Sequence, residues 1–179
     1  TEESTVGLDY ELLNRRLKGS VDLYNRVTKN IILASVPLIT SGISNNGYAH
    51  LGEVTNKGFE LGLSWDDKIN ENLSYSISGN YSYNDNKLNK VVQGVNPIRG
   101  GSLGNGQYTK LLSEIAVNQP LGSFWLWEVS GKDANGNFTY VDVDGDGKTG
   151  INDLDDRKFM GSYIPKSTFG INIGLKYKN

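Results

Sequence analysis

The residues best suited to chemistry sit in one short acidic run, 142–155, which opens Asp142-Val143-Asp144-Gly145-Asp146-Gly147. Aspartates at alternate positions can converge on one cation, and a glycine at the sixth place permits the sharp turn that brings them together. A complete twelve-residue calcium loop also wants an apolar residue eighth and a carboxylate twelfth. Here those places fall on Thr149 and Asp153. If Thr149-Gly150 is a two-residue insertion, Ile151 takes the apolar place and Asp155 closes the loop. The candidate ligands are therefore Asp142, Asp144, Asp146, Lys148, Asn152, Asp153 and Asp155, with Lys148 at the seventh place, where such loops use a main-chain carbonyl. The donors are hard oxygens, so calcium is expected ahead of zinc. A hydrated acidic turn is the competing reading.

Other candidates are weaker. Trp125 and Trp127 stand beside Phe124 with the same parity. They could stack on a sugar or peptide substrate, or anchor the small core of their own loop. His50 is the only histidine and lies in a glycine-rich stretch, a poor setting for a Ser-His-Asp triad. The run Gly100-Gly101-Ser102-Leu103-Gly104-Asn105-Gly106 lacks the Lys-Ser/Thr ending of a phosphate cradle. There is no cysteine, so no thiolate chemistry and no disulfide. No pair of carboxylates stands out as a glycosidase pair. We expect no enzyme. With 18 basic and 20 acidic residues and no basic patch, nucleic acid is not an expected partner.

The elements that must position these residues read as β-strands, because apolar and polar side chains alternate. Phe59, Leu61, Leu63 and Trp65 oppose Glu60, Gly62 and Ser64. Leu73, Tyr75, Ile77, Gly79, Tyr81 and Tyr83 oppose a row of Ser74, Ser76, Ser78, Asn80 and Ser82. Phe169, Ile171, Ile173, Leu175 and Tyr177 oppose Gly170, Asn172, Gly174 and Lys176. Weaker alternation runs through Leu8-Tyr10-Leu12 and Leu17-Gly19-Val21-Leu23. The predicted links alternate in length: Asn14-Arg15-Arg16 and 66–72 are short, whereas 29–56 and 84–166 are long. Tight turns on one side and long loops on the other are the wiring of a transmembrane β-barrel. Eight residues at about 3.3 Å, tilted by about 40°, rise roughly 20 Å, near the apolar band of such barrels with aromatics at either end. A soluble sandwich shares the alternation, so a secreted, calcium-stabilised β-sandwich that binds carbohydrate is the alternative. No apolar run approaches the roughly 20 residues of a membrane helix. Five strands leave open edges that lipid does not tolerate. Together with the polar start Thr1-Glu2-Glu3, this predicts an interior piece of a larger barrel.

Several stretches together resemble the SusC/RagA family of TonB-dependent outer-membrane transporters, in its C-terminal barrel region. They are Gly7-Leu8-Asp9-Tyr10, Asn14 to Tyr24, Asn56-Lys57-Gly58-Phe59-Glu60-Leu61, Gly79 to Lys87, Gln119-Pro120-Leu121-Gly122-Ser123-Phe124, Asp142 to Asp155, and Gly161 to Lys166 with Phe169-Gly170. They keep the family's order across nearly the whole chain. Trp125-Leu126-Trp127 departs from its commoner tyrosine-glycine-tyrosine pattern. The resemblance implies an all-β fold, with 1–179 as part of a large barrel in the outer membrane of a Gram-negative bacterium. The plug domain and closing strands would lie outside this segment. It further implies energised import of glycans or peptides, with a SusD-like surface lipoprotein as lid and the TonB complex engaged through an N-terminal region. Trp125 and Trp127 would then be candidates for contact with substrate or lid.

Overall fold

A computed structural model describes residues 1–35, 47–91, 98–103, 107–112, 117–150, 153 and 155–178. The described strands are β1 (Glu2–Leu12), β2 (Leu17–Ser35), β3 (Gly47–Asn70), β4 (Leu73–Val91), β5 (Ile98–Leu103), β6 (Gln107–Leu112), β7 (Ser123–Trp127), β8 (Val129–Lys132), β9 (Phe138–Tyr140), β10 (Arg157–Ser162) and β11 (Ser167–Tyr177). The chain divides into two compact units. One comprises Thr1–Ile31, Glu53–Lys87 and Pro165–Asn179; the other comprises Ile32–Gly52 and Leu88–Ile164.

The first unit is built on a five-stranded sheet in the order β1-β2-β3-β4-β11. The alternating segments of the sequence are its strands, and antiparallel register matches their faces. Val6 lies opposite Leu23, Leu8 opposite Val21 and Leu12 opposite Leu17. On the other flank Phe169 lies opposite Tyr81, Ile173 opposite Ile77 and Leu175 opposite Tyr75, while Asn172 meets Ser78 and Thr168 meets Ser82. Such matched pairs are the unit of sheet stabilisation, and a one-residue slip would exchange the faces. Tyr10 folds its ring across the strand onto Gly19, where a Cβ would occupy the space of the ring.

The apolar face of this sheet is open. Val6 is 71% exposed, Phe169 78% and Ile173 74%, and Val54 is the unit's buried apolar residue among those described. In water such a contiguous surface would be a liability; on a barrel wall it is the lipid-facing band. Aromatics mark its ends. Trp65 donates its indole N–H to the Tyr75 hydroxyl at 3.1 Å, and the Phe59 ring lies 5.7 Å from that of Tyr81 and 5.8 Å from that of Tyr83.

The strands exceed their alternating cores. β3 has 24 residues and β4 has 19. The expected 29–56 link is therefore shortened at both ends, and the expected 66–72 turn contracts to Glu71-Asn72. The extension of β4 beyond Tyr83 is polar on both faces apart from Leu88 and Val91, and that of β2 ends in the unbroken apolar run Ile31-Ile32-Leu33-Ala34; neither alternates, so the period-2 signal fades while the strand continues. His50, read from sequence as a loop residue, lies in β3. The 84–166 stretch is likewise not one long loop. β4 extends to Val91, and β5 to β10 follow within the second unit. Gly100 and Gly101 are strand residues of β5, and Gly104 and Gly106 lie outside the described residues.

Within the second unit, one sheet has the order β10-β7-β6-β5 and another pairs β8 with β9. Its small core gathers Leu88 and Ser123, 0% and 1% exposed. Leu88 exchanges main-chain hydrogen bonds with Asn118 and Gln119 at 2.8 and 3.0 Å. Ser123 donates to the Pro120 carbonyl at 2.6 Å and Ser162 to that of Leu121 at 2.8 Å. Gly122 takes a φ of 69° against the Tyr163 ring, which leaves no room for a side chain.

Candidate functional site

The acidic loop runs from the end of β9 to the start of β10 and wraps about its own carboxylates. Asp142 accepts the Gly145 amide at 2.6 Å on one oxygen and the Gly147 amide at 2.9 Å on the other. Asp144 accepts the Asp146 amide at 3.0 Å, and Asp146 accepts that of Lys148 at 2.8 Å. These bonds suit Asp and Gly. Short carboxylates reach amides two to five residues on, and Gly145 and Gly147 take φ of 79° and 81°, where other residues are strained. One oxygen from each of Asp142, Asp144 and Asp146 lies within 4.8 Å of the other two. Two oxygens about 2.4 Å from one calcium ion lie at most about 4.8 Å apart, so the spacing fits a shared cation.

The remaining sequence candidates separate. Lys148 turns its ammonium back to Asp146, 2.6 Å away. Asp153 accepts the Asp155 amide at 3.2 Å, and Asp155 is exposed. Asn152 lies outside the described residues. The Asp153 amide donates to the Gly150 carbonyl at 3.0 Å. The residue that sequence reasoning missed is Asp156. It is 0% exposed and accepts the Val143 amide at 2.7 Å on Oδ1. Its Oδ2 has no hydrogen-bond partner among the described residues. The signal was present as a second carboxylate after Asp155, but only the fold distinguishes the exposed one from the buried one.

The field of the loop is divided. The Asp146 amide is the largest single influence on Asp144 and lowers its pKa. Desolvation and the negative charges of Asp146, Asp153 and Asp156 together outweigh it, so the Asp144 carboxyl stands above its ordinary range. Asp146 is held below its range, first by the Lys148 ammonium and then by the Lys148 amide.

Trp125 and Trp127 are placed by β7, which pairs Trp127 with Arg157 and Trp125 with Phe159 on β10. Both are half-buried. The Trp125 ring meets Phe159 edge-on at 4.6 Å, and the Arg157 guanidinium lies 3.8 Å over the Trp127 ring. The Trp127 indole N–H donates to the Asp153 carbonyl at 2.5 Å. The pair thus ties the acidic loop to the sheet. Near it, Lys158 pairs with Glu128.

The first unit carries a second candidate surface, the polar face of its sheet. Tyr24 donates to Asn84 at 3.1 Å, and Asn86 donates to Asn56 at 2.7 Å. Glu3, Asp22, Arg26 and Glu60 line the same groove, where Arg26 grips Glu3 through two bonds of 3.0 and 2.9 Å. This face can bind polar ligands through side-chain amides, hydroxyls and charges; it places no nucleophile beside a base.

Residues 3–179 match the family described as TonB dependent receptor-like, beta-barrel. The chain is 28% identical over its whole length to TonB-dependent receptor P3 of Formosa agariphila, covering 19% of that protein. It is 23% identical over 97% of its length to TonB-dependent receptor SusC of Bacteroides thetaiotaomicron, covering 18% of it. It superposes with a TM-score of 0.74 and 26% identity on the structure of the RagAB peptide transporter, over 98% of this chain and 19% of that one. The chain spans about a fifth of the length of these relatives. An apolar face open to its surroundings, a polar face behind it, antiparallel strands without a helix among the described residues and a match over nearly every residue agree: this chain belongs to the TonB-dependent receptor-like β-barrel family.

Proposed function

We propose that the protein imports glycans or peptides across the outer membrane, driven through the TonB complex and capped by a SusD-like lipoprotein, with this segment supplying part of the barrel wall and extracellular loops. One observation carries the wall assignment: the registered apolar stripe of the five-stranded sheet lies open while the opposite face is polar. That arrangement suits strands between lipid and a hydrated lumen. Kinship to SusC and to a structure described as a peptide transporter supports import as the activity. The polar groove around Tyr24, Asn56 and Asn84 would line the lumen, and the second unit would face substrate or lid. The secreted β-sandwich reading is set aside, because the family match identifies a barrel wall and the sheet's apolar residues are exposed rather than sandwiched.

Deletion of the full-length gene in its host tests the proposal. Uptake of labelled oligosaccharide or peptide, measured alongside a TonB deletion, should fall to background in both strains and return with the gene. Undiminished uptake of both substrate classes would overturn it.

A further inference from the structure

We propose that the wall around Gly79 binds lipopolysaccharide of the outer leaflet, with one acyl chain in the groove that Gly79 opens and the anionic headgroup at Lys57 and Lys87. The groove has a volume of about 460 Å³ and is walled by Leu61, Leu63, Ile77, Phe169 and Ile171. Ile171 lies opposite Gly79, and Ile77 and Tyr81 flank it along β4 on the same face. Lack of room does not demand the glycine. A Cβ there would stand 3.4 Å from the Gly170 carbonyl oxygen, an ordinary contact. What glycine does is leave a dent in an otherwise apolar surface. An unfilled dent forfeits the dispersion contacts of its lining. Inside a bilayer, acyl chains are at hand to fill it.

The charges above the groove select the headgroup. By strand parity Lys57 shares the face of Phe59 and Leu61, and Lys87 that of Tyr81 and Tyr83. Both lysines are exposed and form no ion pair among the described residues. Short turns mark the periplasmic end of such strands, so these lysines lie toward the outer surface. The rings of Phe59 and Tyr83 lie 5.8 Å apart and mark one level. From that level Leu61 is two residues inward, Lys57 two outward and Lys87 four outward. At about 3.3 Å per residue and a tilt of about 40°, Lys57 stands roughly 10 Å above Leu61, and Lys87 roughly 5 Å higher still. Anionic groups at two heights above an acyl chain describe lipopolysaccharide, with its phosphates and acidic core sugars, better than a phospholipid with one phosphate. A second copy of the chain suits the lysines less well. The acids nearby on this face, Glu2 and Asp85, are already paired with Lys29 and Lys166. Binding here requires the lipid-facing reading of the sheet and is independent of the imported cargo.

The test uses the full-length receptor purified in detergent and freed of lipid. The probes are rough lipopolysaccharide of defined acylation and phosphatidylglycerol, counted by native mass spectrometry, with thermal unfolding as a second readout. Lys57→Gln with Lys87→Gln should weaken binding at this site roughly thirtyfold, read as one fewer lipopolysaccharide per receptor and a smaller thermal shift. Gly79→Ile fills the dent and should weaken binding several-fold while the barrel still folds. Lys178→Gln, at the short-turn end of β11, should change neither readout. If Gly79→Ile fails to fold, the double lysine variant decides. An unchanged count in that variant, equal binding of phosphatidylglycerol, or receptor dimers that Gly79→Ile dissociates would overturn the inference. Ile173→Lys separates the two ways to fail. If it folds into vesicles as the parent does, the lipid-facing reading itself is wrong; if it is damaged and the lysine variant still binds normally, only the lipopolysaccharide site is.

Discussion

Replacing Ile173 with lysine tests the orientation of the sheet directly. Ile173 is 74% exposed and lies opposite Ile77. It stands four residues from Phe169 and four from Tyr177, the aromatics at either end of β11. Four residues at about 3.3 Å, tilted by about 40°, rise roughly 10 Å, which puts Ile173 near the middle of the apolar band. A lysine at the midplane of a barrel's lipid face costs about 2–4 kcal/mol, or roughly 30- to 700-fold in the folding equilibrium. Its neighbour Asn172, opposite Ser78 on the polar face, should accept lysine within about 0.5 kcal/mol. The assay is urea-dependent folding of the full-length barrel into lipid vesicles, with the folded fraction read from the gel shift between heated and unheated samples. The same two variants compared in outer-membrane yield give an independent measure. If Ile173→Lys folds as the parent does, or if Asn172→Lys is the more damaging change, the assignment of faces is wrong. An exposed residue on a water-facing sheet would tolerate either substitution equally.

Three further outcomes follow from local geometry. At Gly58 a Cβ would fall on the main-chain carbonyl of Tyr83, whereas at Gly19 it would meet the movable ring of Tyr10; Gly58→Ala should therefore destabilise the barrel by about 1–3 kcal/mol, and more than Gly19→Ala, in urea titrations of the full-length protein. In the β8–β9 hairpin, Asp133 accepts the amides of Asn135 and Asn137 at 2.8 and 2.9 Å and the Asn137 side chain at 3.1 Å. The Asn137 side chain, then its backbone amide, hold the Asp133 pKa below 3.8. A depressed folded pKa means that the stabilisation is present above the unfolded value and is lost as pH falls through the folded one. Amide exchange at Asn135 and Asn137 should therefore lose protection on acidification below about pH 4, a change absent in Asp133→Ala. Trp127→Phe removes the hydrogen bond to Asp153 and weakens the guanidinium stack; it should cost the acidic loop about 1–2 kcal/mol, seen as faster trypsin cleavage after Lys148 with unchanged membrane insertion.

Much of the wall was legible in the sequence, and much of the second unit was not, for reasons that particular residues make plain. Alternation from Leu73 to Tyr83 and from Phe169 to Tyr177 names strands because one face meets an apolar medium and the other a polar one, and the side-chain period of a strand is two. Matching parity also pairs Ile173 with Ile77 once the strands are neighbours. That β11 returns beside β4 across more than seventy intervening residues, and that the apolar face stays open, belong to the tertiary structure alone. The extension of β4 to Val91 and the sheet of β5, β6, β7 and β10 were hidden, since polar-faced and short strands leave no periodic signal. In the acidic loop, the Asp-x-Asp-x-Asp-Gly spacing determined by itself that three carboxylates converge, because it is set by backbone turns within six residues. Which later carboxylate faces inward depended on where β10 begins and on the amide of Val143. Only packing could decide between Asp153, Asp155 and Asp156, and it buries Asp156.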